Sequence, residues 1–199
     1  MRSRTRTIAA GLTGLGSLLA LPATLVLAGL EPSWLDHEPF PVAVAIGVTM
    51  MGTGAGILRW MAGAKVWACT LSIPVIAAIA AGVIGVTAEG LAALPAFFLS
   101  HLAIFLGVPM AGWALAPEFD DASSPVPSIS RLLINSAIAF PLAAAISTVT
   151  IGEGAPRSPE ALIFEWGQRG VMVGQLVAIG LASALVVLEI REDETPADG

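Results

Sequence analysis

Tyrosine is absent from this chain, and lysine, asparagine and cysteine occur once each, as Lys65, Asn135 and Cys69. A lone cysteine excludes an intrachain disulfide framework and a cysteine metal site. Charge is equally scarce. Asp, Glu, Lys and Arg make up 12% of the 199 residues, about half the share of a soluble domain. They are missing altogether from six long runs: Thr7 to Leu30, Pro39 to Leu58, Val66 to Ala88, Gly90 to Pro117, Leu132 to Gly152 and Gly170 to Leu188. A soluble fold would have almost no polar face left to meet water. A transmembrane barrel would need short alternating segments of about 10 residues, which these are not.

What is present is apolar, with 56% hydrophobic residues. A membrane-crossing helix takes about 20 such residues, and lipid offers the backbone no hydrogen-bond partner, so runs of this length must be helical. The sequence therefore predicts an all-α membrane protein. Its expected architecture is a single domain over residues 1–199, a bundle of six transmembrane helices near 8–30, 39–60, 66–88, 91–116, 131–152 and 170–190. An alternative for the first run is a cleaved signal peptide, given Arg2, Arg4 and Arg6 before it and Val26-Leu27-Ala28 near its end. Its length of about 23 uncharged residues exceeds a usual signal core.

Orientation follows from the basic residues, because cytoplasmic loops retain Lys and Arg. With both termini cytoplasmic, seven of the nine basic residues lie inside and only Arg157 and Arg169 outside. Trp34, Trp60, Trp67, Trp113 and Trp166 fall at run ends, where indole rings sit among headgroups. The scarcity of Lys, Asn and Tyr resembles GC-rich codon usage, and a net charge of −6 suits a salt-tolerant prokaryote. The expected location is thus a prokaryotic plasma membrane.

Two connections are long. Residues 117–130 form a Pro- and Ser-rich linker that divides the runs three and three, without a matching inverted repeat. In residues 153–169, Ser158-Pro159-Glu160 reads as a helix start, and Leu162, Ile163 and Trp166 make an apolar stripe. This predicts a short interfacial helix; the alternative is one long helix continuing into the sixth run, against which Gly167 and Gly170 argue for a break.

Candidate functional residues are few. An ionisable group at membrane depth is costly and calls for a reason, which singles out His101, flanked by Phe97, Phe98 and Phe105. Asn135 and Gln175 are the other deep polar groups, suited to interhelical hydrogen bonding or to lining a cavity. Asp36, His37, Glu38 and Glu89 flank runs on the expected outer side and could together hold a cation or proton there. Small residues recur at four-residue spacing as Gly170, Gly174, Ala178 and Ala182, and as Gly52 and Gly56, predicting close helix packing.

No phosphate loop, His-Glu-x-x-His pair or nucleophile elbow is present, and Gly52 to Gly56 lies inside an apolar run rather than after a strand. No catalytic residue, metal site, cofactor or nucleic-acid partner is expected. The expected partners are the bilayer and either further copies of the chain or other membrane subunits. The leading functional expectation is a small transport component, a permease or the membrane subunit of a transporter. The alternative is a subunit that docks and assembles other membrane proteins; an intramembrane enzyme ranks third. A cavity lined by His101 and Asn135 would favour transport, and a solid bundle with exposed grooves would favour assembly.

Overall fold

The computed structural model describes residues 2–27, 40–119, 129–139 and 159–194. Every regular element among them is helical: α1 (Arg2–Leu27), α2 (Phe40–Met61), α3 (Lys65–Thr70), α4 (Ser72–Thr87), α5 (Leu94–Leu115), α6 (Ile129–Ala139) and α7 (Pro159–Glu194), with 3₁₀ turns at Gly90–Ala93 and Ala116–Phe119. Asp36, His37, Glu38, Trp34, most of the 117–130 linker and residues 140–152 of the fifth expected span lie outside the described residues.

Local sequence explains where the helices stop. α2 ends in a Schellman motif, with Ala64 N–H donating to the Arg59 carbonyl at 2.9 Å and Gly63 N–H to that of Trp60 at 3.0 Å. The motif needs a left-handed residue, and Gly63 supplies it at φ +83°. The third expected span is interrupted at Leu71. Pro74 has no N–H for the Thr70 carbonyl and its ring crowds that turn, so α3 stops at Thr70 and α4 restarts at Ser72. Gly90, at φ +59°, then turns the chain towards α5.

Four stretches are long and apolar enough to cross a bilayer: Pro41–Met61, Lys65–Thr87, Gly90–Phe119 and Gly170–Ile190. The chain is therefore a helical membrane protein. Of the fifth expected span, residues 131–139 are described, as part of α6. α1 is a single helix of 26 residues that runs along α2 and α7. One expectation is corrected. No interfacial helix separates from the sixth span; α7 is one helix of 36 residues that starts at Pro159 and passes through Gly167 and Gly170 without a break. At 1.5 Å per residue that is about 54 Å, well beyond the roughly 30 Å of hydrocarbon. Glycine costs a helix only about 1 kcal/mol, too little to break one that is continuous on both sides.

The helices α1, α2, α4, α5 and α7 close into a ring, each packed on the next, with α2 also touching α5 across it. Along the ring α1/α2, α2/α4, α4/α5 and α1/α7 run antiparallel, which leaves α5 and α7, the fifth pair, parallel. A Cβ built on Gly47 would meet Ala20 N at 2.6 Å, one on Gly82 would meet Ala45 Cβ at 2.6 Å, and one on Gly14 would meet Ser183 Cβ at 3.0 Å. These contacts put small residues inside: Ala9, Ala20, Ala55, Ala78, Ala103, Ala111 and Ala182 are fully covered or nearly so. Large apolar residues face out, among them Ile76, Val83, Val86, Leu91 and Phe98. The interior also holds large side chains such as Met51, Ile104, Leu115 and Leu176, but the small residues at the crossings suit lipid, where tight backbone approach holds helices together. Three interior hydroxyls are satisfied within their own helices: Thr13 donates to Ala9 O (2.8 Å), Thr24 to Ala20 O (2.9 Å) and Ser100 to Ala96 O (2.7 Å), whereas those of Thr49 and Ser183 are buried without a partner.

Candidate functional sites at the charged end and on the lateral face

The ends of α1, α2 and α5 meet where three charged residues converge. Arg6 lies one turn into α1, Arg59 just before the α2 Schellman turn, and Glu118 in the 3₁₀ turn that follows α5. Arg6 donates twice to Glu118 Oε2, from Nε at 3.2 Å and from Nη2 at 2.7 Å. The other carboxylate oxygen, Oε1, faces Arg59 Nη2 at 3.8 Å, an ionic approach too long for a hydrogen bond. Exposure differs across the cluster: the Arg6 side chain is 37% accessible, Glu118 12% and Arg59 10%. Arg59 Nε is buried without a hydrogen-bond partner. The cluster thus holds two positive charges against one negative, and the more deeply buried cation is the less well satisfied.

Beside it lies a cavity of about 240 Å³ lined by Arg59, Trp67, Trp113, Ala116, Pro117 and Ile134. Trp67 and Trp113 meet edge to face, with ring centroids 5.2 Å apart. At the same end Lys65 Nζ stands 5.5 Å from the centre of the Trp60 ring. Sequence reasoning passed over Glu118, Arg6 and Arg59 as site residues. The signal was weak but present: each borders an uncharged run on the same expected side of the membrane.

The lateral face carries a different feature. α2 and α4 frame a groove of about 650 Å³ lined by Val42, Ala45, Ile46, Thr49, Met50, Ile79, Gly82, Val83, Val86 and Thr87. Ile46, Ile79, Val83 and Val86 are exposed along it. A second cavity, of about 440 Å³ between α2 and α3–α4, is bordered by Gly52, Thr53, Gly56, Cys69 and Ser72.

The residues singled out from sequence are scattered. His101 is half-buried on α5; its Nδ1–H donates to the Phe97 carbonyl at 2.7 Å, and its ring centre lies 4.1 Å from that of Phe97 and 6.2 Å from that of Phe105. Phe97, Phe98 and Leu102 beside it are exposed. Asn135 is exposed on α6. Gln175 is fully buried, its Nε2 3.5 Å from the Leu133 carbonyl and its Oε1 without a partner. Glu89 is exposed at the far end of α4 from the charged cluster. Ala178 and Ala182 are buried, whereas Gly170 and Gly174 are exposed with nothing within 4 Å of a built Cβ. Gly52 packs on Val75, while the closest atom to Gly56 is the Ala68 carbonyl oxygen at 3.8 Å. Among the described residues no three of His, Cys, Asp and Glu converge to hold a metal ion.

No protein family, curated protein or solved structure matches this chain, so its function is read from its own residues.

Proposed function

We propose that this membrane protein is an interaction and assembly subunit, a helical scaffold whose lateral face receives a transmembrane helix of another membrane protein. The observation that carries the reading is the α2/α4 groove: wholly apolar, at membrane depth, and ridged by exposed Ile46, Ile79, Val83 and Val86. Gly82 lowers its floor, letting α2 and α4 approach so that the ridges stand proud of the backbone. In lipid, a groove of this kind gains affinity from shape and van der Waals contact. His101 stands on α5 and Asn135 on α6, each with exposed neighbours.

A permease or transporter subunit is the second reading. One feature favours it, the unpartnered amide oxygen of Gln175 enclosed between α5, α6 and α7. Either reading suits a prokaryotic plasma membrane. The gathering of Arg6, Arg59 and Lys65 at one end supports a cytoplasmic position for that end.

The test combines two measurements. Photoreactive residues at Ile46 and Val83 should each crosslink in native membranes to one and the same membrane protein, and that protein should co-purify in fixed stoichiometry. A photoreactive residue at Leu188, exposed on α7, should not capture it. Adducts with lipid alone, together with solute uptake by proteoliposomes holding only this chain, would replace assembly with transport.

A further inference from the structure

The charged end contains a cation that the fold leaves incompletely satisfied. Arg59 is nine-tenths buried, yet its closest described counter-charge, Glu118 Oε1, is 3.8 Å away, and its Nε has no acceptor. Glu118 cannot come nearer without leaving Arg6, which holds its other oxygen from two nitrogens. A guanidinium carries five donors in a planar fork, and burying them unpaired is expensive. The fork also matches the geometry of a tetrahedral oxyanion.

The Arg59 side chain lines the 240 Å³ cavity, and the other walls are two tryptophans and the apolar surfaces of Ala116, Pro117 and Ile134. That combination rejects a second strongly hydrated group while leaving the guanidinium as the polar wall. Among the described residues, Arg6, Arg59 and Glu118 together carry a net charge of +1 beside the cavity. Arg59 closes the α2 span, and the cavity therefore lies at headgroup level.

We propose that this cavity is an anion site for a phosphate group, with Arg59 as its principal ligand and Trp67 and Trp113 as its walls. The phosphate either belongs to an anionic phospholipid or is free in solution; the recognising chemistry is the same. The proposal stands apart from the lateral groove and does not depend on what that groove receives.

Binding is read on delipidated protein in a detergent without phosphate, by the shift in thermal unfolding and by tryptophan fluorescence. The probes are short-chain phosphatidylglycerol, short-chain phosphatidylcholine, inorganic phosphate, acetate and chloride. Saturable stabilisation by phosphatidylglycerol alone identifies a lipid site; saturation by inorganic phosphate as well identifies a soluble-anion site. Arg59→Gln should weaken binding at least tenfold, and Arg59→Lys, which keeps the charge but loses the fork, should weaken it several-fold. Arg4→Gln, at an exposed position on the same helix as Arg6, should change it less than twofold. Equal responses to acetate, chloride and phosphate overturn the proposal, as does Arg59→Lys binding unchanged. Should Arg59→Gln fail to fold, Arg59→Lys and a cavity-filling Ala116→Leu decide it: the latter should abolish saturation, and retained saturation refutes the site.

Discussion

Replacing Glu118 by Gln is the sharpest probe of the charged end, because it removes one negative charge and almost no volume. Two cations lose their partner, but unequally. Arg6 is more than a third exposed, so water screens it, and a pair of that kind contributes about 1 kcal/mol or less. Arg59 is only 10% accessible and has no other described counter-charge. At 3.8 Å and an effective dielectric constant of about 20, its attraction to Glu118 is on the order of 4 kcal/mol. Removing one partner of a buried pair leaves the other charge desolvated and alone, typically at a cost of about 3–5 kcal/mol. Allowing for the residual exposure, Glu118→Gln should destabilise the protein by about 2–4 kcal/mol. Arg59→Gln should cost less, about 1 kcal/mol, because Glu118 keeps Arg6. The double variant should then be more stable than Glu118→Gln by itself, since it no longer buries an unpaired cation. Equilibrium unfolding in mixed micelles measures all three. The expected coupling is at least about 1.5 kcal/mol. Additivity within about 0.5 kcal/mol, or a Glu118→Gln variant as stable as the parent, would refute the reasoning.

Other perturbations follow from the packing. Gly47→Leu should destabilise by about 3 kcal/mol or more, because the new side chain meets Ala20 backbone atoms at 2.6–2.9 Å, whereas Gly174→Leu should stay within about 0.5 kcal/mol; equal effects in thermal unfolding would contradict this map of the interfaces. Gln175→Leu deletes an orphaned amide oxygen and a contact of only 3.5 Å, so its cost should lie within about 1 kcal/mol of zero. A loss above about 2 kcal/mol would mean that the amide has a partner beyond Leu133. In a Cys69→Ala background, a membrane-impermeant thiol reagent applied to intact cells should label Glu89→Cys and leave Ala62→Cys untouched; the reverse pattern would invert the threading.

Chain composition alone determined that this is a helical membrane protein, since uncharged runs of that length have one stable backbone conformation in lipid. Local sequence also located the helix start at Pro159 and the approximate limits of the spans between Pro41 and Phe119. These are local effects, set by neighbours within a few residues. What failed was inference across space. The four-residue stripe from Gly170 to Ala182 is half buried and half exposed, because periodicity defines a face without saying how far along it the partner extends. Gly16, Gly47 and Gly54, which hold α1 against α2, sit in no stripe of comparable regularity; their role depends on the register between two helices. His101 drew attention by its depth, yet its imidazole bonds a carbonyl of its own helix. Glu118 drew none, and it is the residue to which Arg6 reaches across 112 positions of chain. Which helix ends meet, and so which charge finds which, is decided by the ring of α1, α2, α4, α5 and α7. Only tertiary structure could supply it, because electrostatic partners are chosen by distance in space.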